Sequence, residues 1–134
     1  MALTKSTAIA NAQLNAYEST IGASAILKIR TGAPPSTVAT ASTGTVLATC
    51  NLPSDWMAAA SSRSVAKSGT WEDTSADATG TAGHFEITAS DGTTVGIRGT
   101  VTATGGGGDM TVDNTSFASG QAFSVTSFTI TSGN

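Results

Sequence analysis

Apolar side chains near the start of the chain recur at the spacing of an α-helix. Intervals of four, three and four residues place four of them on one helical face: Ala10, Leu14, Tyr17 and Ile21. Thr4 or Ser6 can cap the helix, because a hydroxyl there accepts an unpaired backbone N–H, and Gly22 suits the left-handed residue that ends it. The pattern predicts one helix, at about Ser6 to Thr20.

After this helix the pattern changes to the two-residue alternation of β-strands. The buried face of a first strand carries Ala25, Leu27 and Ile29. A loop at 31–44, which contains two prolines, leads to a second strand whose buried face carries Val46, Ala48, Cys50 and Leu52. Weaker patterns predict a bulged strand or a turn at 56–60 and a third short strand at 63–71.

The clearest local pattern is a β-hairpin around Asp91-Gly92. Alternating runs lie on both sides of this dipeptide, which is typical of a type I′ turn. In the first run Phe85 and Ile87 are expected to face the core, whereas His84 and Glu86 are expected to face outward. The hairpin therefore predicts two long neighbouring strands.

The alternation of apolar residues changes phase within the last predicted strand. Phe123 and Val125 share one parity, and Phe128 and Ile130 share the other. A β-bulge near Thr126 would bring both pairs onto one face, and a strand buried on both faces would also explain them.

These patterns predict an all-β fold preceded by one short helix. About seven or eight short strands separated by turns are typical of an antiparallel β-sandwich or jelly roll. We expect an N-terminal arm or helix at residues 1–22 and a jelly-roll-like domain at 23–134. The helix either packs on its own sandwich or reaches a neighbouring subunit.

Charge is unusually scarce, at 11% of the residues against about 25% in a typical domain. Its place is taken by Thr, Ser, Gly, Ala and Asn. Two surfaces made of these residues can associate with little desolvation of charged groups and little charge repulsion. Six basic residues are scattered without a stripe, so we expect no nucleic-acid partner. No apolar run approaches the roughly 20 residues of a membrane span, so we expect no membrane partner either.

Candidate catalytic and metal-binding residues do not converge in the sequence. His84 is the sole histidine and no G-x-S-x-G motif occurs, so we interpret it as a surface or interface residue. Cys50 has no second cysteine to pair with and lies in the apolar phase, which predicts a small buried hydrophobe. We therefore expect no enzyme activity, no cofactor and no metal.

Acidic and glycine-rich loops suggest turns rather than ligand sites. The pairs Asp73/Asp77 and Asp109/Asp113 do not fit the spacing of a calcium loop, and we expect them to cap loops. The run Gly105–Gly108 lacks the Lys-Ser/Thr of a phosphate loop. We expect it to form a flexible loop, as a mobile or closely packed turn.

Large aromatic side chains have two interpretations. Trp56, Trp71 and Tyr17 can stack on sugars, or they can anchor a core or an interface, and the second use is commoner. If both tryptophans are buried, the stacking platform is lost. As partner contacts we name Leu14, Tyr17, Ile21 and Trp56.

The order of several segments resembles that of small tailed-phage virion proteins, some of which are similar to the jelly-roll cement, or decoration, proteins of phage heads. These segments are Leu14-Asn15-Ala16-Tyr17, Ala25 to Pro35, Gly69-Thr70-Trp71, Gly80 to Ile87, Asp109 to Asn114 and Ser119 to Val125. The resemblance covers nearly the whole chain as order and spacing, without an invariant motif. One departure is Glu86, where similar sequences often carry Arg.

The resemblance implies a structural protein that is made in the host cytoplasm and binds the outer capsid surface. Its partners would be the major capsid protein and further copies of itself, as a dimer or trimer. Two alternatives stay open: another virion component of the tail, neck or fibre, and a carbohydrate- or receptor-binding β-sandwich.

Overall fold

The computed structural model describes residues 3–132 and is mostly β with one short helix, as the sequence predicts. The helix α1 spans Thr7–Ile21. The strands are β1 Ile26–Thr31, β2 Val46–Asn51, β3 Ser64–Ala66, β4 Glu72–Asp73, β5 Gly80–Thr88, β6 Val95–Ala103, β7 Met110–Val112, β8 Ser116–Phe117 and β9 Phe123–Thr131. These nine described strands exceed the predicted number because β4 and β8 are two residues long and show no alternation.

The strands form one curled, mixed sheet that resembles half of a barrel. The order is β2-β1-β5-β6-β7-β9-β3, with β4 paired to β9 and β8 paired to β5. Among the described strands β6 and β7 pair in parallel, whereas the other pairs are antiparallel. The prediction of a purely antiparallel sheet is therefore wrong at one pair.

The predicted helix is confirmed, with Ser6 as its N-cap and Gly22 as its C-cap, although Gly22, at φ 105° and ψ 173°, is not in the predicted left-handed helical conformation. The hydroxyl of Ser6 accepts from the Ile9 N–H at 3.2 Å, and the Gly22 N–H donates to the Glu18 carbonyl at 2.9 Å. Gly22 has a φ of 105°, which favours glycine. Ala10 and Leu14 are buried on the predicted face.

Polar side chains tie α1 to its own sheet domain. Asn11 Oδ1 accepts from the Arg63 N–H at 2.9 Å, and Asn15 Oδ1 accepts from the Ala60 N–H at 2.8 Å. The Glu18 carboxylate accepts from the N–H of Met57, a buried residue of the same segment. Of the two predicted positions of the helix, the structure shows the one on its own domain.

A chain of four aromatic rings runs through the core. The centroid distances are 6.0 Å from Trp56 to Trp71, 5.6 Å from Trp71 to Phe128 and 5.3 Å from Phe128 to Phe85. Each indole N–H donates to a backbone carbonyl, of Gly22 from Trp56 and of Ser68 from Trp71. Both tryptophans are therefore core residues, and the sugar-stacking platform considered above is absent.

The β5–β6 hairpin is confirmed, but its turn differs from the predicted type. A type I′ turn needs positive φ at both central residues. Gly92 has a φ of 72°, whereas Asp91 is not among the described residues with positive φ. Instead, the Asp91 carboxylate accepts from the backbone N–H groups of Thr93 and Thr94, which holds a longer loop. Hydrogen bonds from Thr94 and Thr93 lower the pKa of Asp91 to about 2.

The phase change in β9 is a bulge, as predicted. Thr111 pairs with Ser127 and Val112 pairs with Val125, so Thr126 is the extra residue. The bulge allows Phe123, Val125 and Phe128 all to be buried.

The glycine run makes a closely packed return, one of the two kinds of turn predicted for it. A Cβ on Gly106 would lie 2.7 Å from Thr102 Cβ, and one on Gly108 would lie 2.8 Å from Thr102 Cγ2. Gly105 and Gly107 have positive φ, at 87° and 81°. The chain can therefore double back tightly and place β7 parallel to β6 after a very short connection.

We predict that Gly108→Ala destabilises the protein by about 1–3 kcal/mol, because its methyl group must displace Thr102 in a close-packed return. Urea unfolding measures the loss. Gly105→Asn is the control: Gly105 has open space around it, and Asn tolerates left-handed backbone, so the change should stay below about 1 kcal/mol. Equal effects of the two substitutions would contradict the tight return.

Candidate interaction cleft

A gap in the sheet lies beyond the short strand β7. On one side β7 pairs with Val101–Ala103 of β6, and on the other it pairs with 125–128 of β9. Before residue 101 and after residue 128, no described strand lies between β6 and β9. Because β7 separates these strands by two strand spacings, the gap is about 9–10 Å wide where it begins.

Two adjoining cavities occupy this region. One of about 320 Å³ lies between the strands, with Phe85, Ile97, Phe128 and Ile130 among its lining. The other, of about 480 Å³, lies under α1. Tyr17 and Thr131 line both cavities, which are therefore neighbours. We call the two cavities together, bounded by α1, β6 and β9, the cleft.

Three of the four predicted contact residues line the cleft. Leu14, Tyr17 and Ile21 all face the larger cavity. Leu14 is buried, whereas Tyr17 and Ile21 are partly exposed. A Cβ on Gly96 would lie 2.5 Å from Ile21, so the glycine lets α1 lie close against β6.

Trp56, the fourth predicted contact residue, is not at the cleft surface. Its side chain is fully enclosed by the core and cannot touch a partner unless the core opens. The segment around Trp56 has no regular strand, so no apolar periodicity could show which way the indole points.

Backbone hydrogen-bonding groups of β9 point into the cleft. The Lys67 N–H donates to the Phe128 carbonyl, and the Ser132 N–H donates to the Arg63 carbonyl, so residues 128 and 132 face β3. Because successive residues of a strand direct these groups to opposite sides, Thr129 and Thr131 direct theirs towards β6. No described strand pairs with Thr131 there.

The facing edge of β6 is similar. The Thr100 N–H donates away from β5, to the Asp109 carboxylate at 2.9 Å. By the same alternation, the N–H and C=O of Arg98 also point away from β5 and towards the cleft. The cleft therefore has an unpaired strand edge on each side.

An ion cluster on the other side of the sheet fixes β1, β5 and β6 together. The Glu86 carboxylate lies 2.9 Å from Arg30 Nε and 3.3 Å from Arg98 Nε. The Ser42 hydroxyl donates to the same carboxylate at 2.8 Å. Glu86 is only 1% exposed, so this is a buried Arg–Glu–Arg cluster with a hydroxyl donor.

The two arginines also fasten the loop at 32–45 over the sheet. Arg98 Nη1 donates to the carbonyls of Thr37 and Thr40, each at 2.7 Å. Arg30 Nη1 donates to the Gly44 carbonyl at 3.2 Å. The loop thus covers the polar face of β1, β5 and β6.

This cover explains why two predictions were wrong. His84 and Glu86 were expected to face outward, but both are buried under the loop. His84 Nδ1 lies 2.9 Å from the Gly32 carbonyl, and its Nε2 is buried without a hydrogen-bond partner in the described structure. The Arg–Glu–Arg cluster was missed, although opposite charges in the polar phase of neighbouring strands were its signal.

The electrostatic environment of Glu86 favours its charged form. Burial alone would raise its pKa, but the Ser42 hydroxyl and the guanidinium groups of Arg30 and Arg98 outweigh it. The net effect lowers the pKa of Glu86 below its ordinary value.

The predicted loop capping is confirmed at Asp73, which accepts from the Ser75 N–H at 2.9 Å. Asp73 and Asp113 also accept from strand residues, the Thr49 N–H at 3.0 Å and the Ser124 N–H at 3.2 Å. Cys50 is buried, also as predicted; burial, with Asp73 and Asp77 nearby, raises the pKa of its thiol. Within residues 3–132 no three His, Cys, Asp or Glu side chains group as metal ligands would.

Comparison with protein-family models, with curated proteins and with solved structures found no match. Across the described residues, no helix has the length and apolar character needed to cross a membrane.

We predict that Glu86→Gln destabilises the protein by about 3–5 kcal/mol at neutral pH, because it leaves two buried guanidinium groups without a carboxylate. Chemical unfolding measures the change. The exposed Glu72 provides the control, and Glu72→Gln should change stability by no more than about 0.5 kcal/mol. A similar small effect at Glu86 would show that the cluster contributes little.

The same pair of proteins tests the pH dependence. Because folding lowers the pKa of Glu86, its contribution is present above the ordinary value of 4.5 and is lost as pH falls through the lowered value. The stability difference between wild type and Glu86→Gln should therefore shrink on acidification below about pH 4.5. A difference that grows or stays constant down to pH 2 would contradict this linkage.

Proposed function

We propose that this chain is a structural protein of a tailed-phage virion and acts as a capsid decoration, or cement, protein. The observation that carries the proposal is the cleft, where an apolar helix face and two unpaired strand edges meet. Such a surface suits protein–protein contact, because it offers both apolar area and backbone hydrogen-bonding groups. Its partners would be the major capsid protein and other copies of the chain, as a dimer or trimer on the outer capsid.

The resemblance to jelly-roll cement proteins adds a finer proposal about the fold. We propose that the curled sheet is a variant of a β-sandwich in which β2-β1-β5-β6 and β7-β9-β3 form two facing parts. The edge-on contact between Phe85 of β5 and Phe128 of β9 supports this, since it joins the two parts across one core. The parallel β6–β7 pair departs from the antiparallel pattern.

Binding alone is enough to stabilise a shell. A protein that binds only the assembled shell contributes about 2.7 kcal/mol per site at a hundredfold excess over Kd. Symmetry repeats this contribution over many equivalent sites. The scarcity of charge in the chain supports this role, because little desolvation opposes each contact.

The alternatives from the sequence differ in their support. A carbohydrate-binding role loses its stacking platform, because Trp56 and Trp71 are core residues. A tail, neck or fibre component would use the same kind of contact surface, and its location on the virion distinguishes it from a head protein.

We predict that the purified protein binds undecorated phage heads saturably and raises their thermal stability. Tyr17→Ala should weaken binding by about tenfold or more, because Tyr17 lines both cavities of the cleft. Co-sedimentation with heads measures the affinity, and a melting curve shows that the variant is folded.

Ile9→Ser is the matched control, since Ile9 is an exposed apolar residue of the same helix that does not line the cleft. It should bind as the wild type does. Failure of the wild-type protein to bind heads would exclude the decoration role. Binding only to tails would move the protein to the alternative virion location.

A further inference from the structure

We propose that the cleft receives an extended segment of the shell protein, which adds as a strand between β6 and β9. This inference rests on the decoration role proposed above and specifies how the partner is held. The space continues the line of β7 beyond its three residues, and both of its walls are strand edges. A strand placed there would hydrogen-bond on both sides.

The backbone groups that would pair with such a strand are already oriented. Thr131 directs its N–H and C=O groups into the cleft from β9, and Arg98 does so from β6. The N–H of Thr129 is already engaged, because the pairing of Met110 with Phe128 joins it to the Asp109 carbonyl. An extended backbone satisfies donors and acceptors on both walls at once, whereas a helix satisfies its own. The occupant is therefore an extended segment.

The outer edges of the sheet are closed by contrast. At β2, the Thr49 N–H donates to the Asp73 carboxylate and the Leu47 carbonyl accepts from the Asp77 N–H. At β3, the Ala66 carbonyl accepts from the Ala58 N–H. Strand addition is thus favoured at the cleft rather than at either end of the described sheet.

The cleft also defines the chemistry of the segment. The cavity under α1 is lined mainly by apolar surface, whereas the cavity between the strands mixes apolar side chains with threonines, and the charged lining residues are Lys5, Arg98 and Asp109. A charge-poor segment with apolar side chains at alternate positions complements this lining. The open edges accommodate about four residues, a length of about 13 Å.

A second copy of this chain would not supply such a segment readily. The helix is tied down by Asn11, Asn15 and Glu18, and Arg98 holds the loop at 32–45. The described strands are paired within their own sheet. A four-residue strand also buries far less surface than the roughly 800 Å² per partner of a standard interface. The segment would therefore be one part of a larger contact between the two proteins.

Hydrogen exchange of the wild-type protein, free and bound to undecorated heads, tests the proposal. With single-amide resolution, the amides of Arg98 and Thr131 should exchange at least about tenfold more slowly in the bound state. The amide of Ile130 is an internal reference, because it already faces β3 and should change little.

Each outcome has a distinct meaning. Slower exchange at the two amides supports strand addition, whereas binding to heads without slower exchange overturns strand addition and leaves the decoration role intact. Absence of binding overturns both proposals. If exchange at these amides slows with rising protein concentration in the absence of heads, the cleft binds a second copy of the chain. That result would overturn the proposal of a shell-protein segment.

Thr131→Pro provides a second test, because it removes an N–H that faces the cleft and not β3, at the last residue of β9. It should weaken binding to heads by about tenfold or more while the melting temperature stays close to that of the wild type. Unchanged affinity would contradict the proposal. If this variant does not fold, the exchange measurement on the wild type decides.

Discussion

The strand β7 joins the two parts of the sheet through only three residues on each side. It can lie parallel to β6 after so short a connection because the glycines at 105–108 let the chain return against Thr102. Beyond the Met110 end of β7, the core holds β6 and β9 two strand spacings apart. No described strand lies between them there. The cleft is therefore a direct consequence of how the glycine return positions one short strand.

The surroundings keep this cleft open in a defined shape. On one side α1 covers it, and the hydrogen bonds of Asn11, Asn15 and Glu18 hold the helix in place. On the opposite face of the sheet, Glu86 joins β1, β5 and β6 through two arginines and fastens the loop above them. A buried cluster of this kind need not add net stability, but it fixes which strands lie side by side. Both sets of contacts fix the positions of the elements that border the cleft.

Much of the fold followed from periodicity. The helix with its Gly22 cap, the β5–β6 hairpin and the bulge at Thr126 were all visible as changes of apolar phase. The remainder depended on long-range packing, which leaves no local pattern. His84 and Glu86 are buried by the loop at 32–45, which is distant from them in sequence. The parallel pairing of β6 and β7 depends on the path of the chain through the glycine run, and the presence of four glycines does not by itself predict that path. Leu14, Tyr17 and Ile21 share a helical face and line the cleft together, whereas Trp56 lies in the core, in a segment without apolar periodicity. Their contact with a partner stays a prediction.

Electron microscopy of heads decorated with this protein tests the central claim most directly, because it shows which surface of each copy faces the shell. The account predicts density for the protein on the outer capsid, with α1 and β9 towards the shell and an added strand of shell protein between β6 and β9. Copies bound through another surface, with the space between β6 and β9 open to solvent, would contradict it.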